Sequence, residues 1–225
     1  MNDTLFFARY YANLFYVNKI AVTTSKIDKM VLITYYINIL QNKRIKNMDL
    51  VSGKHFPTTD LCRIAPFDIY TGEKDPKSFN CILEPTKDIA PFFQVPEEEI
   101  IKRGDDIGLL KYIFMEFALT TTEDMRENMK ELNIFTNIGK SWEVHNINYG
   151  DENYNLIKKQ LLERINDERL QDNIIVKFIN KKLPLYLNIP LVEKILQSEN
   201  KSKNKIYKKC KELLSKKILW GVLWN

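Results

Sequence analysis

Thr24-Ser25-Lys26-Ile27-Asp28-Lys29-Met30-Val31-Leu32-Ile33-Thr34-Tyr35-Tyr36 is the stretch on which the fold turns. Ile27, Met30, Val31, Ile33, Ile37 and Leu40 recur at helical spacing. Ser25 with Asp28 three residues on reads as a capping box, and Lys43-Arg44 places positive charge where a helix C-terminus favours it. A helix is therefore predicted here. Upstream, Asn2 or Asp3 can cap an earlier helix carrying Leu5, Phe6, Ala8, Tyr10, Leu14 and Phe15. That helix is apolar nearly all round, so it is either central or covered by a partner.

Downstream, the helical period fails over 45–94, where Pro57, Pro66, Pro76, Pro85 and Pro91 interrupt any long helix. Leu50-Val51, Phe67-Asp68-Ile69-Tyr70 and Cys81-Ile82-Leu83 are short apolar pieces suited to strands or turns. This stretch is expected to be an irregular, strand-containing insertion. Regularity returns at Pro96-Glu97-Glu98-Glu99, a proline and acids suited to a helix start. Asp105 or Asp106 can cap a helix with Ile107, Leu110, Ile113, Phe114 and Phe117 on one face. Thr121 with Asp124 opens a further one carrying Met125, Met129 and Leu132. The linker-like residues 146–151 mark the expected domain boundary. They divide the chain into a helical domain, 1–148, and a basic C-terminal module, 149–225.

In that module Tyr154, Ile157, Leu161, Leu162 and Ile165 make an amphipathic helix, and 174–179 a shorter apolar one. Pro184 and Pro190 are expected to bracket a turn. Ser202 caps a helix over 202–217, and the β-branched and aromatic residues 218–224 read as a strand. A short helix, a turn, a helix and a strand have the order of a winged helix-turn-helix. The fold class expected is therefore mainly α, with a β-containing insertion and a winged-helix-like C-terminal module.

Composition narrows the function. The chain has 225 residues, 44% hydrophobic and 28% charged, with three cysteines and seven glycines. So few cysteines exclude a disulfide framework and suit a reducing compartment. No apolar run approaches the ~20 residues of a membrane helix. Asp3 stands where a secretory signal carries positive charge, so a cytoplasmic protein without a membrane partner is expected. The net charge is +5. Residues 201–217 hold eight lysines against Glu212, a local charge of +7, which leaves −2 for the rest of the chain.

No motif carries catalysis. Gly139-Lys140-Ser141 resembles the end of a phosphate-binding loop, but Ile134 occupies the place of the first glycine. His55 and His145 have no metal-ligand spacing. His55, Asp60 and Cys62 share one irregular segment in which nothing orients a base toward a thiol. No catalytic residue, cofactor or metal is expected. Two sets of binding residues remain. Lys201, Lys203, Asn204, Lys205, Lys208, Lys209 and Lys211 are candidates to contact DNA, the lysines on phosphates and Asn204 and Lys205 nearest the bases. The alternative for that helix is a solvated face with Ile206, Cys210, Leu213 and Leu214 turned inward. Phe7, Tyr11, Tyr16, Phe67 and Tyr70 are candidates for an aromatic-centred protein interface, set against a plain core role for the N-terminal aromatics.

Three segments together resemble the Panacea, or SocA-like, antitoxin family of bacteria and their phages. They are Phe7-Ala8-Arg9-Tyr10-Tyr11-Ala12-Asn13-Leu14, the lysine-flanked run from Thr24 to Tyr36 already quoted, and 109–142 with Leu119-Thr120-Thr121-Thr122-Glu123-Asp124-Met125 and a trailing Trp142. Where the family carries a tryptophan and a Gly-Pro-Val-like turn, this chain has Ala65-Pro66-Phe67-Asp68-Ile69-Tyr70. The resemblance implies a non-enzymatic, antitoxin- or adaptor-like protein that binds a toxin or other effector stoichiometrically. It covers at most the first 145 or so residues. The alternative is a sequence-specific winged-helix DNA-binding regulator of phage or plasmid origin, working through 201–217.

Overall fold

The computed structural model describes residues 3–43, 48–51, 82–83, 94–134, 144–147 and 149–187. The chain divides into two compact units, Met1–Ile175 and Val176–Asn225. Among the described residues the architecture is mainly α-helical, as expected.

The first unit is organised around one helix. Helix α1 covers Asp3–Val17, strand β1 Val22–Thr23, and helix α2 Thr24–Leu40. Every residue from position 26 to 39 of α2 is buried. A helix buried on all sides needs neighbours on all sides. α2 has them in α1 and in three later helices: α4 (Ile107–Phe117), α5 (Thr122–Leu132) and α6 (Glu152–Ile165). A short helix, α3 (Glu97–Lys102), precedes α4 and packs on it. The core is rich in aromatic edges. Phe7 meets Tyr35 with ring centroids 5.8 Å apart, and Phe15 meets Phe114 at 4.8 Å, both edge-on. Such pairs add about 0.5–1.5 kcal/mol each beyond the area they bury.

The helix ends follow local chemistry. The cap of α2 is Thr23, whose hydroxyl accepts from the Lys26 amide at 3.2 Å, and not the expected Ser25. Thr23 sits in extended backbone in β1, which an N-cap requires and a residue already inside the helix cannot supply. At the other end Lys43 lies beyond the last turn. Its amide donates to Asn38 O at 2.8 Å and the Asn42 amide to Ile39 O at 3.1 Å, with Asn42 at φ 55°. This is the paired closure that usually recruits glycine. α1 closes alike, with Lys19 at φ 55°, and α3 with Gly104 at φ 78°. Asp106 caps α4 and Thr121 caps α5, as expected. Pro96 stands one residue before α3, at its cap.

Among the described residues this unit also holds two antiparallel strand pairs. β1 pairs with β3 (Ile82–Leu83), Val22 opposite Leu83. β2 (Met48–Val51) pairs with β4 (Val144–Ile147), Met48 opposite Ile147 and Val51 opposite Val144. The two pieces Leu50-Val51 and Ile82-Leu83 are thus strand, while Phe67, Ile69 and Tyr70 lie outside the described residues.

The expected boundary at 148/149 is corrected. Asn146 and Ile147 are paired in β4. Beyond them α6 packs on α2. The Tyr154 hydroxyl points at Lys43 O at 3.1 Å, and Lys158 Nζ donates to Asn42 Oδ1 at 2.6 Å. The compact unit then runs on to Ile175, because Asn173 Nδ2 donates to Asn128 O and Glu131 Oε2 at 2.8 and 2.9 Å. A polar, Asn-rich sequence marks a turn but does not report what the next helix buries.

Helix α7 (Ile174–Lys177) leads through a π-turn, Phe178–Lys182, into α8, Leu183–Leu187. Pro184 is therefore inside a helix and does not open a turn. The π-turn directly before it is the irregularity that lets a ring without an N–H continue the helix. The expected helix over 202–217, the strand over 218–224 and the winged-helix order lie outside the described residues.

Candidate functional site

The polar chemistry of the first unit gathers where α2 begins and α4 ends. Lys26 is only 6% exposed, one turn into a helix whose positive end faces it. Its ammonium donates to Ala118 O and, at 2.5 Å, to Thr120 O, and it lies 5.5 Å from the Phe15 ring centroid. The two carbonyls belong to the C-terminal exit of α4, whose orphan oxygens favour a cation. Helix dipoles contribute about 0.3–1 kcal/mol, less than two charge-assisted hydrogen bonds, so the bonds decide the placement. Burial still penalises the charge and pushes the amine down to about 8.

The same corner has a second tether. Thr23 Oγ1 and Thr122 Oγ1 are 2.9 Å apart, joining β1 to the first residue of α5. Thr121 accepts from the Asp124 amide at 3.0 Å and donates to Asp124 Oδ2 at 2.6 Å. Between these ties stands Leu119, 85% exposed. The corner is thus held at 118, 120, 121 and 122 while the leucine side chain projects from it.

Lys29, also buried, donates to Ser25 O at 3.0 Å and Ser25 Oγ at 2.5 Å. Burial lowers its amine to about 8 as well, against the opposing pull of Asp28. A serine beside a desolvated lysine is the pairing a lysine-activated nucleophile uses. Here the lysine donates both to the hydroxyl and to the main chain, the reverse polarity of a base. Among the described residues, no group of three His, Cys, Asp or Glu side chains is placed to hold a metal ion.

The outer surface of α5 is charged. Glu123, Asp124, Arg126, Glu127, Lys130 and Glu131 are exposed, while Met125 and Leu132 face the core. Arg126 pairs with Glu123, and Lys130 with Glu127 at 2.6 Å.

Burial removes two residues, Phe7 and Tyr11, from the expected aromatic interface. Phe7 is 2% exposed and Tyr11 0%, so neither can meet a partner in this conformation. They face α2, where Phe7 packs on Tyr35 and Tyr11 bonds Thr34. Tyr16 is half-buried at the end of α1. Phe67, Tyr70, Cys62 and His55 lie outside the described residues, as do Lys201, Lys203, Asn204, Lys205, Lys208, Lys209 and Lys211. Because α1 is apolar nearly all round, its sequence does not separate a core face from an outer one, and residues 6–16 are all buried or half-buried. Lys26 and Leu119 are what sequence reasoning missed. Lys26 stands among Thr24, Ser25, Asp28 and Lys29, a polar helix start that gives no sign of burial in the sequence. A leucine placed directly before a Thr-Thr-Thr cap signals a side chain left in a turn.

No protein-family model, curated protein or solved structure matches this chain.

Proposed function

We propose that this chain is a non-enzymatic regulatory interaction protein, antitoxin- or adaptor-like, that binds a protein partner stoichiometrically in the cytoplasm. The observation that carries this reading is the division of labour in the first unit. Its interior polar groups are satisfied within the fold: Lys26 by the exit of α4, Lys29 by Ser25 one turn back in α2, and Thr34 by Met30 O and Tyr11. α5, by contrast, offers solvent an ordered charged face beside an exposed leucine. Partner recognition of this kind rests on a few exposed anchors with a charged rim. The test is co-expression of the tagged full-length chain with the product of each flanking reading frame. A complex of fixed stoichiometry, measured by light scattering, is expected. Failure to retain either product, with no relief of toxicity, overturns the reading.

A second reading is favoured by the +7 charge of residues 201–217: a winged-helix DNA-binding regulator. Gel-shift titrations at two salt concentrations test it. Phosphate contacts by these lysines require affinity to fall steeply with salt. Absence of binding at low salt, or unchanged binding after Lys205→Glu with Lys209→Glu, removes it.

A further inference from the structure

We infer that the corner between α4 and α5 is the partner-binding epitope of the first unit, with Leu119 as its apolar anchor and Lys26 as the buried residue that positions it. The inference rests on the protein-binding reading above and names the surface that reading needs.

An exposed leucine alone carries no meaning, since folded proteins expose many apolar atoms. The setting of this one does. Lys26 donates to the carbonyls of Ala118 and Thr120, the two residues on either side of Leu119. Thr23 holds Thr122, and Thr121 caps α5. A turn fixed on both flanks loses little conformational entropy when a partner closes over it, and such preorganisation turns contact area into affinity. The fold buries an ammonium against its solvation preference to hold this turn, yet leaves the leucine 85% exposed.

The surrounding charge states the chemistry of the occupant. The exposed face of α5 that follows carries four carboxylates, Glu123, Asp124, Glu127 and Glu131, against two cations, Arg126 and Lys130, a net charge of −2, while the one positive charge at the turn itself, Lys26, is buried against the carbonyls of Ala118 and Thr120. The complementary surface is an apolar pocket on a protein partner, rimmed by lysine or arginine. An acidic rim of this kind repels nucleic acid phosphates, so DNA is not its occupant.

The experiment uses the co-expressed flanking-frame products as probes, with Leu119→Asp, Leu119→Met and Glu123→Lys in the full-length chain. Because Leu119 is exposed, its two variants keep their thermal midpoints within a degree or two, while Glu123→Lys, which also breaks the pair with Arg126 at the start of α5, is expected to lower its midpoint by a few degrees and still fold. Leu119→Asp is expected to weaken the complex about 30-fold or more, and Leu119→Met to keep it. Glu123→Lys is expected to slow association and flatten its salt dependence. A product bound equally by the wild type and Leu119→Asp overturns the epitope but leaves the protein-binding reading intact. Binding that ignores salt and Glu123→Lys overturns the basic rim. A wild-type dimer that Leu119→Asp converts to a monomer makes the occupant a second copy and overturns the distinct partner. No product retained by the wild type overturns the protein-binding reading itself, and this inference with it.

Discussion

The Tyr11 hydroxyl lies 2.6 Å from Thr34 Oγ1, between α1 and α2 in the centre of the first unit. Thr34 donates its single hydrogen to Met30 O at 2.9 Å, so Tyr11 is the donor in the pair. One residue earlier, Tyr10 buries its hydroxyl with no hydrogen-bond partner among the described residues. Adjacent tyrosines in one helix thus place opposite demands on the core.

Removing the two hydroxyls should separate these demands. Tyr11→Phe leaves a Thr34 lone pair unsatisfied and is expected to cost about 1 kcal/mol. Tyr10→Phe removes an orphan polar atom and is expected to be neutral or stabilising by up to about 1 kcal/mol. Urea unfolding at neutral pH checks both. Equal destabilisation by the two variants contradicts the assignment.

Lys26 should imprint its burial on the pH dependence of stability. Its amine titrates near 10.5 when unfolded and at about 8 when folded. Between those values the unfolded chain holds more protons, so unfolding free energy rises with pH through this window and is flat below it. Lys26→Met lacks this contribution, while Lys29 titrates in both proteins and cancels. The wild type should therefore gain on Lys26→Met between pH 8 and 10.5, by on the order of 1 kcal/mol. Denaturant midpoints at pH 7, 8.5 and 10 measure the difference. A wild type that instead loses ground on raising the pH rejects the desolvated-amine account.

Left-handed backbone at a helix end is a further handle. Lys19 closes α1 at φ 55°, a conformation that costs a side-chain-bearing residue more than glycine. Lys19 is exposed, so little packing is lost with its side chain. Lys19→Gly is expected to raise stability by about 0.5–1 kcal/mol, read from the denaturation midpoint. A drop of that size indicates that the lysine side chain does more than occupy the turn.

The cap of α5 has a comparable cost. Thr121→Ala deletes the bond to the Asp124 amide and is expected to lose about 1 kcal/mol. Thr121→Ser keeps the oxygen and should recover most of it. Hydrogen exchange of the Asp124 amide locates the effect, and exchange that is unchanged in Thr121→Ala contradicts it.

The residues themselves marked α1, α2, α4, α5 and α6 and their starts to within a residue or two, whereas α8 falls where Pro184 suggests a turn. Periodic apolar spacing in 27–40 and 107–117, and the caps at Asp106 and Thr121, are local properties. They depend on side chains three or four positions apart, and the chain alone contains them. The short strands at Leu50-Val51 and Ile82-Leu83 were legible in the same way. What the tertiary structure decided is which surfaces survive folding. Tyr11 reads the same whether it meets a partner or Thr34, and only the position of α2 makes it interior. The extent of the first unit beyond 148, the acceptors that allow Lys26 to be buried, and the projection of Leu119 all come from residues distant along the chain. Burial is a property of neighbours, and a linear pattern holds no record of which neighbours arrive.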